Sequence, residues 1–581
     1  MSSSLPSVAE ATAALTALGG LFELSTYQVG GVELRCYRNV PPTIRDLVLR
    51  SRNWGAREYL IYEDERLTYA ACFERVATLA HRLVGELGVG KGDRVAIAMR
   101  NYPEWVVAFW AAASVGAICV PLNAWWTGAE LAYGLLDSGS RVLFADGERI
   151  ERIVPHLASL PALAPERVIA VRSSQPLAPG VRSWDELLAA GPQHGELPDT
   201  ALEPEDDATI FYTSGTTGSP KGALGTHRNL VTNLGNSGFI RTRALLRKGA
   251  VPQVPGPDAP QLVTLLSVPL FHVTGSHSTL AFATHIGSKL VLMYKWTPER
   301  ALQLIERERV NTFGGVPAMA WQVLESPELE KHDISSITGV NYGGAPSAPE
   351  LVRRIKQVFP EASPSNGYGL TETSALATGN TGVDYQRKPD SVGPPLPVCD
   401  VRVVGEDGQD VPPGEIGELW MRGPNIVKGY WNKPEATAQT FGGGWLRTGD
   451  LVRIDDEGFV YILDRAKDML IRGGENIYCV EVENVLYQHP DVMDAAVVGL
   501  PHRVLGEEVA AVVQLTPDSE LTPEQLKRHA AAHLAAFKVP VRIELRSDPL
   551  PRNANGKILK RQLRSELEGS ALGSGQGSGN G

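Results

Sequence analysis

Cysteine is scarce in this chain, and its five residues, Cys36, Cys72, Cys119, Cys399 and Cys479, lie far apart with no paired spacing. That argues against a disulfide framework and a clustered zinc site, and fits buried thiols in a reducing compartment. Long basic runs are missing too, and a net charge of −11 disfavours nucleic acid as the main partner. No apolar run is long enough to span a bilayer. The run Ala11 to Phe22 has no basic segment before it, so a secretory signal is not expected and the chain is assigned to the cytoplasm. A surface helix is the expectation there, with peripheral membrane contact open. No internal repeat is found.

What is present is enough for more than one core, since 581 residues exceed what a single domain holds. Thr68 can cap a helix in which Cys72, Val76, Leu79 and Leu83 recur at helical spacing. Arg94 to Met99 reads as a buried strand, Pro103 opens a second helix, and Arg141 to Ala145 and Arg167 to Val171 read as strands. Strands Leu262 to Pro269, Lys289 to Met293 and Thr312 to Val316 follow, with a helix at Pro298 to Glu308. Such alternation predicts a mostly parallel α/β sheet. Arg241 to Pro260, rich in proline and glycine, is expected as an exposed excursion. After Ser391 short strands between Asp-Gly and Pro-Gly turns predict a small β subdomain. Beyond Asp464 the pattern is again mixed, with strands at Ala495 to Val498 and Val509 to Gln514, and the tail from Gly569 is expected to be disordered.

The most informative stretch is Thr209 to His227. A strand-like run, Thr209 to Tyr212, breaks into a loop where Gly215, Gly218 and Gly222 free the backbone and Thr213, Ser214, Thr216, Thr217 and Lys221 offer donors. Phosphate is the guest such a loop suits. It is not the mononucleotide-kinase loop, because Lys221 sits between Pro220 and Gly222.

The string Tyr-Thr-Ser-Gly-Thr-Thr-Gly-Ser-Pro-Lys-Gly, residues 212–222, resembles the signature of the adenylate-forming superfamily: acyl-CoA synthetases, peptide-synthetase adenylation domains and luciferases. Further stretches resemble the family in order, from about Leu67 to Lys560. The resemblance implies a large N-terminal α/β domain, residues 1–464, with a mobile α+β C-terminal domain, residues 465–566, and a disordered tail, 567–581.

By the same resemblance His272, in Pro269 to Gly275, borders the acyl pocket and the adenylate. Gly344, Ala345 and Pro346, then Asn366, Gly367, Tyr368, Gly369 and Thr371, form the adenine and AMP segments, with Tyr368 as a stacking face and Asn366 reading the base. Glu372 offers a hard oxygen to Mg²⁺, completed by Thr213. Asp450 and Arg465 make the ribose clamp, Lys467 the hinge, Gly473 and Gly474 the CoA segment, and Lys557 the catalytic lysine. Cys479 departs from the proline of many relatives. No aspartate for a substrate ammonium is found, which makes an amino acid less favoured.

The expected function is ATP-dependent activation of a hydrophobic acid, a medium- or long-chain fatty acid first and an aryl or sterol-derived acid second, with transfer to CoA. A separate carrier protein as acceptor is the enzymatic alternative, and a non-catalytic nucleotide- or acyl-binding protein the other. Residues His272, Val273, Trp321, Tyr342 and Gly344 are expected to wall the acyl pocket.

Overall fold

The structure is a computed structural model that describes residues 5–213, 219–251, 259–344, 347, 349–473, 475–517, 519–553 and 556–573. Two eight-stranded sheets build the large part of the molecule. The first runs Gly429–Tyr430, Lys221–Thr226, Asp207–Thr213, Ile118–Pro121, Arg94–Ala98, Val142–Asp146, Val168–Val171, Arg182–Ser183. The second runs Ala375–Thr381, Ser363–Leu370, Gly339–Gly343, Thr312–Gly315, Val263–Leu266, Lys289–Leu292, Glu58–Tyr62, Glu65–Thr68. Most central neighbours in both are parallel.

Helices cover the faces of these sheets, and two of them carry the shared core. Thr68 caps Tyr69–Gly85 by accepting from the Ala71 amide, as its sequence position implies. Pro103–Ser114 starts with proline, whose missing N–H costs nothing in a first turn. Its Trp105, Phe109 and Trp110 are buried in one apolar cluster with residues from both sheets. The five cysteines are free and buried.

A four-stranded antiparallel sheet, Asp400–Val404, Gly417–Arg422, Leu446–Ile454, Val460–Arg465, is the predicted β subdomain. Beyond it a small five-stranded sheet, centred on Val492–His502 and Gly506–Leu515, has its own core of Leu470, Val482, Leu486, Val497, Val509 and Leu526. The molecule is therefore α/β, with a large N-terminal domain and a small C-terminal one.

Three expectations change. Helix His227–Arg247 continues through the first third of the expected excursion, because Arg243 donates to the Gly379 carbonyl and Arg247 pairs with Asp384 at 2.7 Å; residues 252–258 of that stretch lie outside the described ones. Helix Lys560–Gly573 overruns Gly569, anchored by buried Leu563 and Leu567 one turn apart against Val498 and Val512. Near the start, the expected helix is Val8–Thr16, capped by Ser7, with Ala11 and Leu15 buried. Among the described residues no helix is long and apolar enough to cross a membrane.

Candidate active site

The predicted phosphate loop joins two antiparallel strands, Asp207–Thr213 and Lys221–Thr226, in a register that sets Thr213 opposite Lys221. The hydroxyl of Thr213 donates to the Lys221 carbonyl at 3.4 Å, so both residues stand at the loop's base. Ser214, Gly215, Thr216, Thr217 and Gly218 lie outside the described residues. The Lys221 ammonium sits 5.1 Å from the centre of the Tyr430 ring, and the Tyr430 hydroxyl donates to Glu372 Oε1 at 2.6 Å. Tyr430 thus ties the loop's lysine to the carboxylate. Sequence reading missed it, since Gly429-Tyr430 carries no signal beyond one aromatic residue after a glycine.

Glu372 rides on the single turn Thr371–Thr373 that ends strand Ser363–Leu370. Asp450 and Arg465 are cross-strand partners, and Arg465 Nε meets Asp450 Oδ1 at 2.8 Å. The other carboxylate oxygen, Oδ2, accepts from the Tyr368 hydroxyl at 2.5 Å. Burial, and then the Asp450 charge, push the Tyr368 phenol well above its ordinary value, so it remains a donor. Asn366 is buried beside Tyr342 in parallel register.

His272 leads into a π-helical turn, Thr274–Ala281. The chain doubles back here because residue 275 is glycine: a Cβ would stand 2.2 Å from the Pro269 carbonyl oxygen. The His272 carbonyl in turn accepts from the amide and hydroxyl of Ser276, both at 3.0 Å.

Lys557 arrives from the small domain. Its amide donates to the Asn553 side chain at 3.0 Å, and Gly556 before it holds a left-handed φ of +73° against Val316. Burial pulls the Lys557 ammonium down to about 8, with Arg465 and Lys467 acting the same way and Asp450 and Glu372 opposing. Some of its surface still meets solvent, through the cavity it lines. The hinge candidate Lys467 is also depressed, first by burial and then by Arg465.

One cavity of about 810 Å³ brings these parts together. Thr213, Lys221, Glu372, Arg465, Lys467 and Lys557 line it, as do His272, Gly344, Gly367, Gly369 and Thr371. Asn366, Tyr368 and Asp450 are not on its lining, and the Tyr368 ring packs in the neighbouring core. Gly473 is elsewhere, exposed, its amide donating to the Leu505 carbonyl at 2.8 Å. Ala345, Pro346 and Gly474 lie outside the described residues.

The acyl wall also differs from expectation. Val273 and Tyr342 line the cavity, but Trp321 packs against a separate core behind it. The strand face opposite the helices is polar rather than apolar, with Thr264, Thr312, Asn341, Ser363 and Ser365 turned inward. Alternation along the strands explains this, since Leu265, Phe313 and Val340 point into the core.

For Mg²⁺, the donor set at this cavity is one carboxylate, Glu372, with the Thr213 hydroxyl at the loop base. Such a set fits Mg²⁺, which typically takes one or two carboxylates and completes its shell with water and substrate phosphates. Among the described residues no cluster of three or more His, Cys, Asp or Glu could form an all-protein cage.

Comparison with known proteins agrees with this geometry. The AMP-binding enzyme family model matches residues 49–431, and that of the AMP-binding enzyme C-terminal domain matches 481–557. The chain is 36% identical over 501 residues to a feruloyl-CoA synthase of Amycolatopsis, covering 86% of this chain and 93% of the relative. It is 35% identical over 513 residues to the long-chain-fatty-acid–CoA ligase FadD13 of Mycobacterium tuberculosis, covering 87% and 93%. The anthranilate CoA ligase AuaEII, solved with anthranoyl-AMP, superposes with a TM-score of 0.81 at 28% identity, covering 91% of this chain and 98% of that one. With both domain models matched in order and relatives of this kind over most of its length, the chain belongs to the AMP-binding enzyme family, as an AMP-forming acyl-CoA synthetase.

Proposed function

We propose that the cavity takes an extended carboxylic acid, of fatty-acid type ahead of aryl or sterol-derived acids, and converts it to an acyl adenylate and then a CoA thioester. The observation that carries this is the convergence of Lys557, from the small domain, with Lys221 and Glu372 of the large one and Arg465 at the boundary between them on a single cavity of about 810 Å³. That volume lies within the range of small-molecule sites. The relatives named above include ligases for both a fatty and an aryl acid, so the family does not choose between them.

In the first step a carboxylate oxygen of the acid bonds to the α-phosphorus of ATP as the bond to pyrophosphate breaks. Catalysis here is mostly positioning and charge neutralisation. Lys557 bridges the carboxylate and the α-phosphate, and Lys221 with the loop it anchors holds the departing phosphates. Mg²⁺, held by Glu372 and Thr213, would neutralise phosphate charge. Asp450, oriented by Tyr368 and Arg465, accepts from the ribose hydroxyls. In the second step the CoA thiol sulfur bonds to the acyl carbon, AMP leaves, and the thiol proton is lost.

Lys557 cannot stay while CoA approaches along the same wall. The small domain, residues 465–566, therefore turns about Lys467 between the steps, withdrawing Lys557 and bringing up Gly473 and Gly474. The remote place of Gly473 supports this alternation. A pyrophosphate-release panel over acids of graded length, with and without CoA, tests the reading. Release that needs the acid, followed by CoA thioester, is expected; binding of ATP and acid with no pyrophosphate release for any acid would overturn it.

A further inference from the structure

Resting on the proposed role of Glu372 at the phosphates, we infer that Asn233, buried behind the cavity wall, is a positioning residue for that carboxylate. Glu372 stands just before a backbone pair that side-chain-bearing residues do not adopt freely: Ser374 and Ala375 hold φ of +50° and +89°. Such angles persist only where the surroundings impose them. Inside the turn, Thr373 Oγ1 accepts from the Leu370 amide and donates to the Ala375 carbonyl, both at 2.7 Å. The Thr373 and Ser374 carbonyls are met by side chains from elsewhere. Asn425 Nδ2 donates to Thr373 at 3.1 Å, Asn233 Nδ2 donates to Ser374, and His277 Nδ1 lies 3.4 Å from the same Ser374 oxygen. Asn233 and Asn425 are fully buried, so losing either bond leaves a carbonyl with no water to replace it.

Helical spacing puts Asn233 there. In helix His227–Arg247 the side chains of Asn229, Asn233, Asn236 and Arg243 share one buried side. Asn229 donates to the Pro424 and Ile426 carbonyls at 2.8 and 3.0 Å, Asn236 to Leu376 at 2.9 Å, and Arg243 to Gly379. Within this row Asn233 alone meets the left-handed pair; Asn236 holds the extended strand beyond it. Ser237, on the cavity lining, donates to Asn233 Oδ1 at 3.3 Å and so fixes which way the amide faces. On the other side the Val427 amide donates to the Glu372 carbonyl at 3.0 Å, and Tyr430 holds the carboxylate. The turn is thus held from both ends. Mg²⁺ demands near-ideal geometry, so a site with one carboxylate depends on where that turn is fixed.

The test is a double-mutant cycle of Asn233→Ala and Glu372→Gln, run with the best acid of the graded panel and read as kcat/KM for ATP and as the Mg²⁺ concentration for half-maximal pyrophosphate release. Asn233→Ala alone should raise that Mg²⁺ concentration about five- to tenfold, the worth of one buried hydrogen bond, with the KM of the acid within about twofold of wild type. In the Glu372→Gln background it should add less than about twofold, because its effect passes through the carboxylate. Asn236→Ala, which gives up a like bond farther along the strand, should lower the melting temperature to a similar extent and leave the Mg²⁺ requirement within about twofold. Additive losses in the cycle, or equal Mg²⁺ shifts in Asn233→Ala and Asn236→Ala, overturn the inference while acid activation stands. Should Asn233→Ala not fold, Ser237→Ala, which frees the amide to turn, takes its place in the cycle: a shift of about twofold that vanishes in Glu372→Gln supports the inference, and none overturns it. If no acid gives pyrophosphate release, acid activation fails, and calorimetric affinity for Mg²⁺ with ATP in the same four proteins decides: coupled losses support the positioning role and additive ones overturn it.

Discussion

Removing Lys557 separates the two half-reactions. The Lys557→Ala variant lacks a cation that the small domain brings to the cavity wall near Glu372 and Arg465. Loss of a preorganised electrostatic group of this kind costs about 2.7–4 kcal/mol, a fall of ~10²–10³ in rate. Adenylation, followed as acid-dependent pyrophosphate release without CoA, should drop by that factor. Thioester formation from preformed acyl adenylate and CoA should stay within about threefold, since the proposed rotation withdraws Lys557 for that step. The same residue sets a pH dependence. With the ammonium pulled down to about 8, the protonated form prevails below that pH and is lost as pH rises through it. By titration alone ~90% is charged at pH 7 and ~10% at pH 9, so kcat/KM for adenylation should fall about ninefold between them. Leaving CoA out keeps its thiol from contributing a second titration. Bound ATP favours the charged form, so the limb in kcat should lie above the limb in kcat/KM. Equal loss of both half-reactions, or an alkaline limb that survives unchanged in Lys557→Ala, would refute the assignment.

Two further variants probe how the site is held. Tyr430→Phe keeps the ring beneath Lys221 but deletes the hydroxyl that donates to Glu372 at 2.6 Å; one hydrogen bond is worth about 1 kcal/mol, so the Mg²⁺ concentration for half-maximal pyrophosphate release should rise about fivefold. Gly556→Ala puts a Cβ 2.7 Å from Val316 Cγ2 at a φ of +73°, a left-handed conformation costing about 1–2 kcal/mol for other residues. Adenylation should fall about tenfold in kcat as the Lys557 loop shifts, with the melting temperature within a few degrees of wild type.

Much of the fold was legible because local signals and burial agree. The capped spacing from Thr68 gave Tyr69–Gly85, and Pro298–Glu308 appeared at its expected bounds. The elements that escaped are those where composition points away from structure. Glycine and serine after Gly569 hide the Leu563 and Leu567 stripe that carries the helix onward, and the prolines after Val251 mask a helix that ends only at Arg247. Within the site, residues strung along motifs were found, and those assembled from distant segments were not. Tyr430 meets Glu372 and Lys221 only after three strands and a turn converge, and the polar floor of the acyl wall comes from alternate residues of four strands. Strand alternation is readable in a sequence, but which face meets the cavity is fixed by the helix packed against it.

The proposed rotation has a structural cost that can be located. If the pivot is Lys467, Asp464 stays with the strand Val460–Arg465, where it faces Leu451, while Cys479 travels with the small domain. The Cys479 amide donates to Asp464 Oδ2 at 2.5 Å, so withdrawal of Lys557 has to break this bond. Burial raises the Asp464 carboxyl to about 6, which marks it as a poorly solvated charge whose hydrogen bonds matter more than a surface carboxylate's. On the moving side, Lys560 holds Glu483 at 2.8 Å, and burial is outweighed there by the Glu483 charge, which raises the Lys560 ammonium. That pair lies within the small domain and travels intact. The moving body therefore keeps its own buried ion pair and gives up, at its boundary, a hydrogen bond and the attraction of Lys560 for Asp464. A loss of this size, about 1–3 kcal/mol when the acceptor is charged, is small enough for CoA binding to offset and large enough to hold Lys557 in the cavity until the adenylate has formed.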